Sequence, residues 1–180
     1  MTLLNTETRW GALSQLLHWL MFLLILGAWF AIETREEFPK GSDDRTAWLL
    51  LHKSLGVSVF FLVWVRIGAR LAQVTPREAG VGLAALLAKA VAVGLYGLMI
   101  LLPLSGMLMS GYAGEPVAWF GVIELPALVG VDEEAAESLE EVHEAGFALL
   151  LILLALHVAG ALKQHFVAGN DVLRRMLPWR

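Results

Sequence analysis

Residues 143–160 read HEAGFALLLILLALHVAG, and the stretch from 145 to 162 carries no charged side chain. Its length approaches the ~20 residues with which an α-helix crosses a ~30 Å hydrocarbon layer. Two histidines, His143 and His157, bracket the apolar part. Their spacing of 14 positions, at ~100° per residue, falls ~40° short of four turns, so both imidazoles share one helix face. At ~1.5 Å per residue they stand ~21 Å apart along the axis. An ionisable side chain at membrane depth is expensive, and it usually faces the bundle interior with a partner. This segment is therefore expected to be a membrane helix with an imidazole near each side of the bilayer.

Three further apolar runs lie outward from it. Residues 10–32 and 90–114 carry no charge, and residues 46–65 carry one, Lys53. Over all 180 residues, 58% are hydrophobic and 17% charged, with a mean hydropathy of +0.68. Soluble domains run near 45–50% and about 25%, so the soluble classes are excluded, and no nucleic-acid partner is expected. The runs predict an all-α integral membrane four-helix bundle, one domain over 1–180, with helices near 12–32, 47–69, 86–112 and 142–163. The first run is too long for a signal h-region of roughly 7–15 residues. It is followed by Trp29, Phe30, Glu33 and Arg35 instead of a small-residue cleavage site, so it reads as a retained helix. With no cysteine in the chain, disulfides, thiol catalysis, cysteine-ligated iron–sulfur clusters and c-type haem attachment are all excluded. Residues 79–88 are expected to extend the third helix or lie along the interface, and residues 132–141 to form a short amphipathic helix in a solvated connector.

Charge orients the bundle. Arg9, the connection carrying Arg66, Arg70, Arg77 and Lys89, and the C-terminal Lys163, Arg174, Arg175 and Arg180 hold nine of the thirteen bases. By the positive-inside rule both termini are cytoplasmic. The opposite face holds Arg35, Lys40, Arg45 and Lys53 against fourteen acids, nine of them between Glu115 and Glu144. That orientation sorts the histidines by depth. His18, early in an outgoing helix, and His157, late in an ingoing one, belong at the inner level. His52, early in an ingoing helix, joins His143 at the outer level. Two imidazole pairs on facing helices suit two bis-histidine haems, because each iron takes two axial nitrogens and the flat macrocycle fills the space between helices. Zinc wants three or four ligands at one locus, and a proton relay wants groups within hydrogen-bond reach.

Haem propionates need cations or hydrogen-bond donors. Arg66 and Arg70, one turn apart, are candidates at the inner level, and Lys53 adjoins the outer one. His165, near the inner rim, is a candidate propionate or quinone contact. Gly56 and Gly146 leave room near the outer pair, and Gly94, Gly97 and Gly106 line the third helix, which Pro103 should kink. Trp10, Trp19, Trp48, Trp119 and Trp179 fit aromatic belts.

HWL at His18, LHKSLG at His52, LPLSGMLMS at Pro103, VHE at His143 and LHVAGALKQH from His157 together resemble the bacterial cytochrome b561 family. These are four-helix dihaem membrane proteins that include superoxide oxidase, and the pieces occur in the family's order over nearly the whole chain. The resemblance implies that His18, His52, His143 and His157 ligate two b-type haems in the bacterial inner membrane. It also implies ubiquinone as the electron acceptor within the lipid and, for the superoxide-oxidising members, superoxide as donor on the periplasmic side. On that reading Lys53 is the candidate catalytic residue, where the donor is taken up. The alternative is a non-catalytic electron-transfer subunit between a periplasmic redox partner and the quinone pool. The acidic outer face favours the alternative, since an anionic substrate is steered by positive potential, unless Lys53, Arg45 and Lys40 form a local funnel.

Overall fold

The computed structural model describes residues 2–77 and 82–177. Four of its helices are long and apolar enough to cross a membrane: α1 (Ala12–Arg35), α2 (Asp43–Leu71), α3 (Leu83–Tyr112) and α4 (Glu133–Leu162). Between α3 and α4 lies a two-stranded antiparallel hairpin, β1 (Val117–Trp119) and β2 (Ile123–Leu125), and α4 passes through a π-helical turn over Lys163–Val167 toward a short α5 (Val172–Met176). The protein is a multi-pass, mostly helical membrane bundle. Its α1–α2 and α3–α4 connections share one end, termed the hairpin end, and the chain termini share the other, the terminal end.

Local chemistry starts these helices. The Ser42 hydroxyl accepts the Arg45 N–H at 3.2 Å, and Asp43 and Asp44 occupy the first turn of α2. Asp132 accepts the Ala135 N–H at 3.1 Å, with Glu133 and Glu134 behind it in α4. Both are N-caps reinforced by acids at the positive end of the helix dipole. The cap at Asp132 corrects the expectation of a separate short helix over residues 132–141, because those residues are the first turns of α4 itself. Thirty residues make ~45 Å of helix, so the acidic turns extend beyond a ~30 Å hydrocarbon core. Residues 83–88 extend α3, as the sequence allowed, whereas 79–81 lie outside the described residues, as does Trp179. The hairpin was not foreseen. It is docked on α2, where the Trp119 indole N–H donates to the Ser58 hydroxyl at 3.0 Å and the Phe120 N–H to the Ser54 hydroxyl at 2.8 Å.

Packing is pairwise. α1 lies along α2, α3 along α4, and the pairs meet through α2 and α3. Met21, Val59 and Val63 are buried at the shared core, surrounded by Ile25, Leu62, Tyr96 and Met99. Among the described residues, α4 makes no comparable backbone approach to α1 or α2. The bundle is therefore a ring of helices left apart on one side, and four of the five histidines face that gap. Gly146 belongs to the packed side: a Cβ there would meet the Leu102 side chain at 2.9 Å. It serves the α3–α4 contact, which corrects its sequence reading as room for a ring.

Candidate haem sites

His52 of α2 and His143 of α4 stand across the gap at the hairpin end, with ring centroids 6.3 Å apart. His18 of α1 and His157 of α4 do the same at the terminal end, at 6.1 Å. A metal bound between two opposed imidazoles lies ~2 Å from each nitrogen, and each nitrogen lies about 1.1 Å from its ring centre, so in-line ligation needs centroids about 6.2 Å apart. Both pairs have that separation without any rearrangement of the backbone. Among the described residues no group of three or more His, Cys, Asp or Glu side chains converges on one point, so the arrangement suits a metal that brings its own equatorial ligands. A porphyrin does so.

The second nitrogen of each histidine decides which nitrogen faces the gap. The Ala28 carbonyl lies 2.8 Å from Nδ1 of His52. A carbonyl only accepts, so Nδ1 carries the proton and Nε2 keeps its lone pair. Ser105 Oγ lies 2.8 Å from the Leu102 carbonyl and 2.9 Å from Nδ1 of His143. Its single proton goes to Leu102, so toward His143 it is an acceptor, and Nε2 is again free to ligate. A Cβ on Gly106 would sit 3.3 Å from Cε1 of the same ring, so glycine there admits the imidazole against α3. His18 differs: Arg66 Nη2 donates to its Nδ1 at 3.0 Å while Arg66 Nε donates to the Tyr96 hydroxyl at 2.9 Å. Ligation through Nε2 of His18 leaves Arg66 to another acceptor, and an anionic propionate is the one its fork geometry favours.

The remaining candidates are placed as follows. Arg70 stacks over the Trp10 ring at 5.6 Å, at the terminal rim rather than beside an imidazole pair. His165 turns back onto its own chain, with Nδ1 2.9 Å from the Asn170 carbonyl and its ring against Phe166. Lys53 follows His52 but forms an ion pair with Glu115 at 2.7 Å. Arg45 is held by both oxygens of Glu36 and by the Arg35 and Phe38 carbonyls, and the hydrogen bond from Arg45 holds the Glu36 carboxyl below its ordinary pKa. The open funnel of bases expected at this end is thus closed by pairing at two of its three members. Ser105, Ala28, Tyr96 and Glu115 escaped the sequence reading, because each lies dozens of residues from the group it contacts.

A sequence profile described as prokaryotic cytochrome b561 matches residues 9–179. "Cytochrome b561 homolog 2" of Escherichia coli (strain K12) is 27% identical over 186 residues, covering 98% of this chain and 95% of the relative. "Cytochrome b561 homolog 1" of the same organism is 30% identical over 169 residues, with 91% and 94% covered. "Probable superoxide oxidase CybB" of Yersinia pestis is 30% identical over 172 residues, with 90% and 92% covered.

Proposed function

The chain belongs to the prokaryotic cytochrome b561 family of b-type haem electron-transfer proteins, and from that premise we propose that it carries electrons across the bacterial inner membrane from superoxide to ubiquinone. The observation that bears the proposal is the pair of metal-spaced imidazole couples at two levels of one gap. Haem would be held there, one by His52 and His143 and one by His18 and His157, and would supply a one-electron carrier. The terminal end faces the cytoplasm by its excess of lysine and arginine, so the hairpin end faces the periplasm. In balance, two superoxide ions each lose one electron and become dioxygen, and ubiquinone gains two electrons and two protons to become ubiquinol.

The protein groups serve this reaction by holding and orienting. Ala28 and Ser105 fix the ring orientation of His52 and His143, Arg66 supplies positive charge beside His18, and Lys53 lies next to His52, where the donor approaches. The test is purified protein with ubiquinone and an enzymatic superoxide source. Ubiquinol formation that superoxide dismutase abolishes, and that His52→Ala and His157→Ala each abolish, is the expected result. No superoxide-dependent ubiquinol from fully haem-loaded protein overturns the donor assignment.

One observation favours a second reading, in which a periplasmic redox protein is the donor. Lys53 and Arg45 are both neutralised by carboxylates, which leaves the hairpin end acidic and suited to a basic partner. Salt-sensitive reduction by a cationic protein, with superoxide inert, would establish that reading.

A further inference from the structure

We infer that Glu115 sets which charge class of electron donor reaches the hairpin-end histidines, an inference that rests on the reading of Lys53 as the place where the donor is taken up. The Lys53 side chain is 14% exposed and that of Glu115 59%, with the ammonium and carboxylate 2.7 Å apart. An approaching molecule therefore meets the carboxylate first, and the base beside His52 is both covered and neutralised.

The cover is held in place. The Glu115 N–H donates to the Ser110 carbonyl at 2.9 Å, and Gly114 before it adopts φ +72°, a left-handed turn that glycine enters at little cost. After it, Val117 is buried and the hairpin is pinned to Ser54 and Ser58 of α2. Ser54 adjoins Lys53 in sequence, so the carboxylate and the amine are carried by two elements tied together within one helical turn. Of the four bases at this end, Arg35, Arg45 and Lys53 all contact carboxylates. The fourth, Lys40, forms no ion pair among the described residues and acts on Glu36 only at longer range. Removing the Glu115 charge leaves Lys53, the base next to His52, without its carboxylate partner.

The consequence is an electrostatic filter. Paired with Glu115, Lys53 draws anions, superoxide included, only weakly, and Glu115→Gln strengthens that draw. The reading is obtained by stopped flow on dithionite-reduced, haem-loaded protein, oxidised either by ferricyanide, an anion, or by tris(phenanthroline)cobalt(III), a cation. Each accepts one electron, so rates compare directly. With one charge removed at ~10 Å in aqueous surroundings and probes of charge 3− and 3+, the anion-to-cation rate ratio should rise by about ten-fold or more at low ionic strength and return toward the wild-type value in high salt. Glu124→Gln removes the same charge from the adjoining hairpin without touching Lys53 and should move the ratio less. A second readout needs no haem chemistry: an anionic amine-reactive ester, followed by peptide mass spectrometry with Lys40 as internal reference, should label Lys53 several-fold faster in Glu115→Gln. An unmoved ratio, an equal shift in Glu124→Gln, or unchanged Lys53 labelling overturns the inference. If the ratio and labelling shift as expected while superoxide fails to drive ubiquinol formation, the donor assignment falls and the filter stands.

Discussion

Replacing Ser105 by alanine isolates one hydrogen bond at the proposed haem ligand His143. Ser105 is buried, and its hydroxyl donates to the Leu102 carbonyl and accepts from His143 Nδ1 at 2.9 Å. Alanine removes that acceptor, a loss of about 1–3 kcal/mol, held toward the lower end because the Leu102 carbonyl also accepts from the His143 ring. At 1.4 kcal/mol per decade that range is roughly 5- to 150-fold in an equilibrium constant, which brackets the 10–100-fold loss typical when an outer partner of a ligating histidine is removed. The volume lost is one oxygen atom, so cavity effects are secondary. The assay is haem transfer to excess apomyoglobin, followed by absorbance. Release should be biphasic, and Ser105→Ala should speed one phase, belonging to the His52–His143 site, by about ten-fold or more. Ser105→Thr keeps a hydroxyl and should restore most of the retention. Ser58→Ala, which removes a hydroxyl that holds Trp119 and no histidine, should leave both phases alone. Equal release from Ser105→Ala and the wild type would refute the reasoning about the His143 ring.

Arg66→Leu removes the positive charge beside His18, so the terminal-end haem should become harder to reduce, its midpoint falling by ~tens of millivolts in a redox titration; a rise would show that the arginine does not act through its charge. Gly11→Ala places a Cβ 2.4 Å from the Leu4 backbone, and because backbone cannot yield as a side chain can, loss of ~1–3 kcal/mol and faster proteolysis of residues before α1 are expected, against no change if the segment is loosely held. The Glu36 carboxyl titrates below its ordinary range through its bond to Arg45, so that clamp on the α1–α2 connection persists through mild acid and is lost only as pH falls through the lowered value. Hydrogen exchange across residues 36–45 that already accelerates above the usual carboxylate range would contradict this.

Much of the fold was legible because lipid imposes length and apolarity on each span, and the four charge-free or nearly charge-free runs mark α1 to α4 directly. The pairing of His18 with His157 and of His52 with His143 was legible too, since helix rise and alternating direction fix depth. What was hidden depends on contacts between distant positions. Ser105 lies 38 residues from His143 and Ala28 lies 24 from His52, and no local pattern reports such meetings. Lys53 read as an exposed cation because its partner, Glu115, lies 62 positions away beyond a whole transmembrane helix. The hairpin escaped because three-residue strands leave no periodicity. The acidic turns of α4 read as connector because charge there reflects water beyond the bilayer rather than the end of the helix.

Whether the two imidazole couples each clamp a haem is decided most directly by the dithionite-reduced minus oxidised spectrum of the purified protein, combined with a haem-to-protein ratio. Two haems per chain are expected, falling to one or fewer when any one of His18, His52, His143 or His157 becomes alanine. Colourless protein, or a ratio indifferent to those substitutions, would contradict the dihaem assignment.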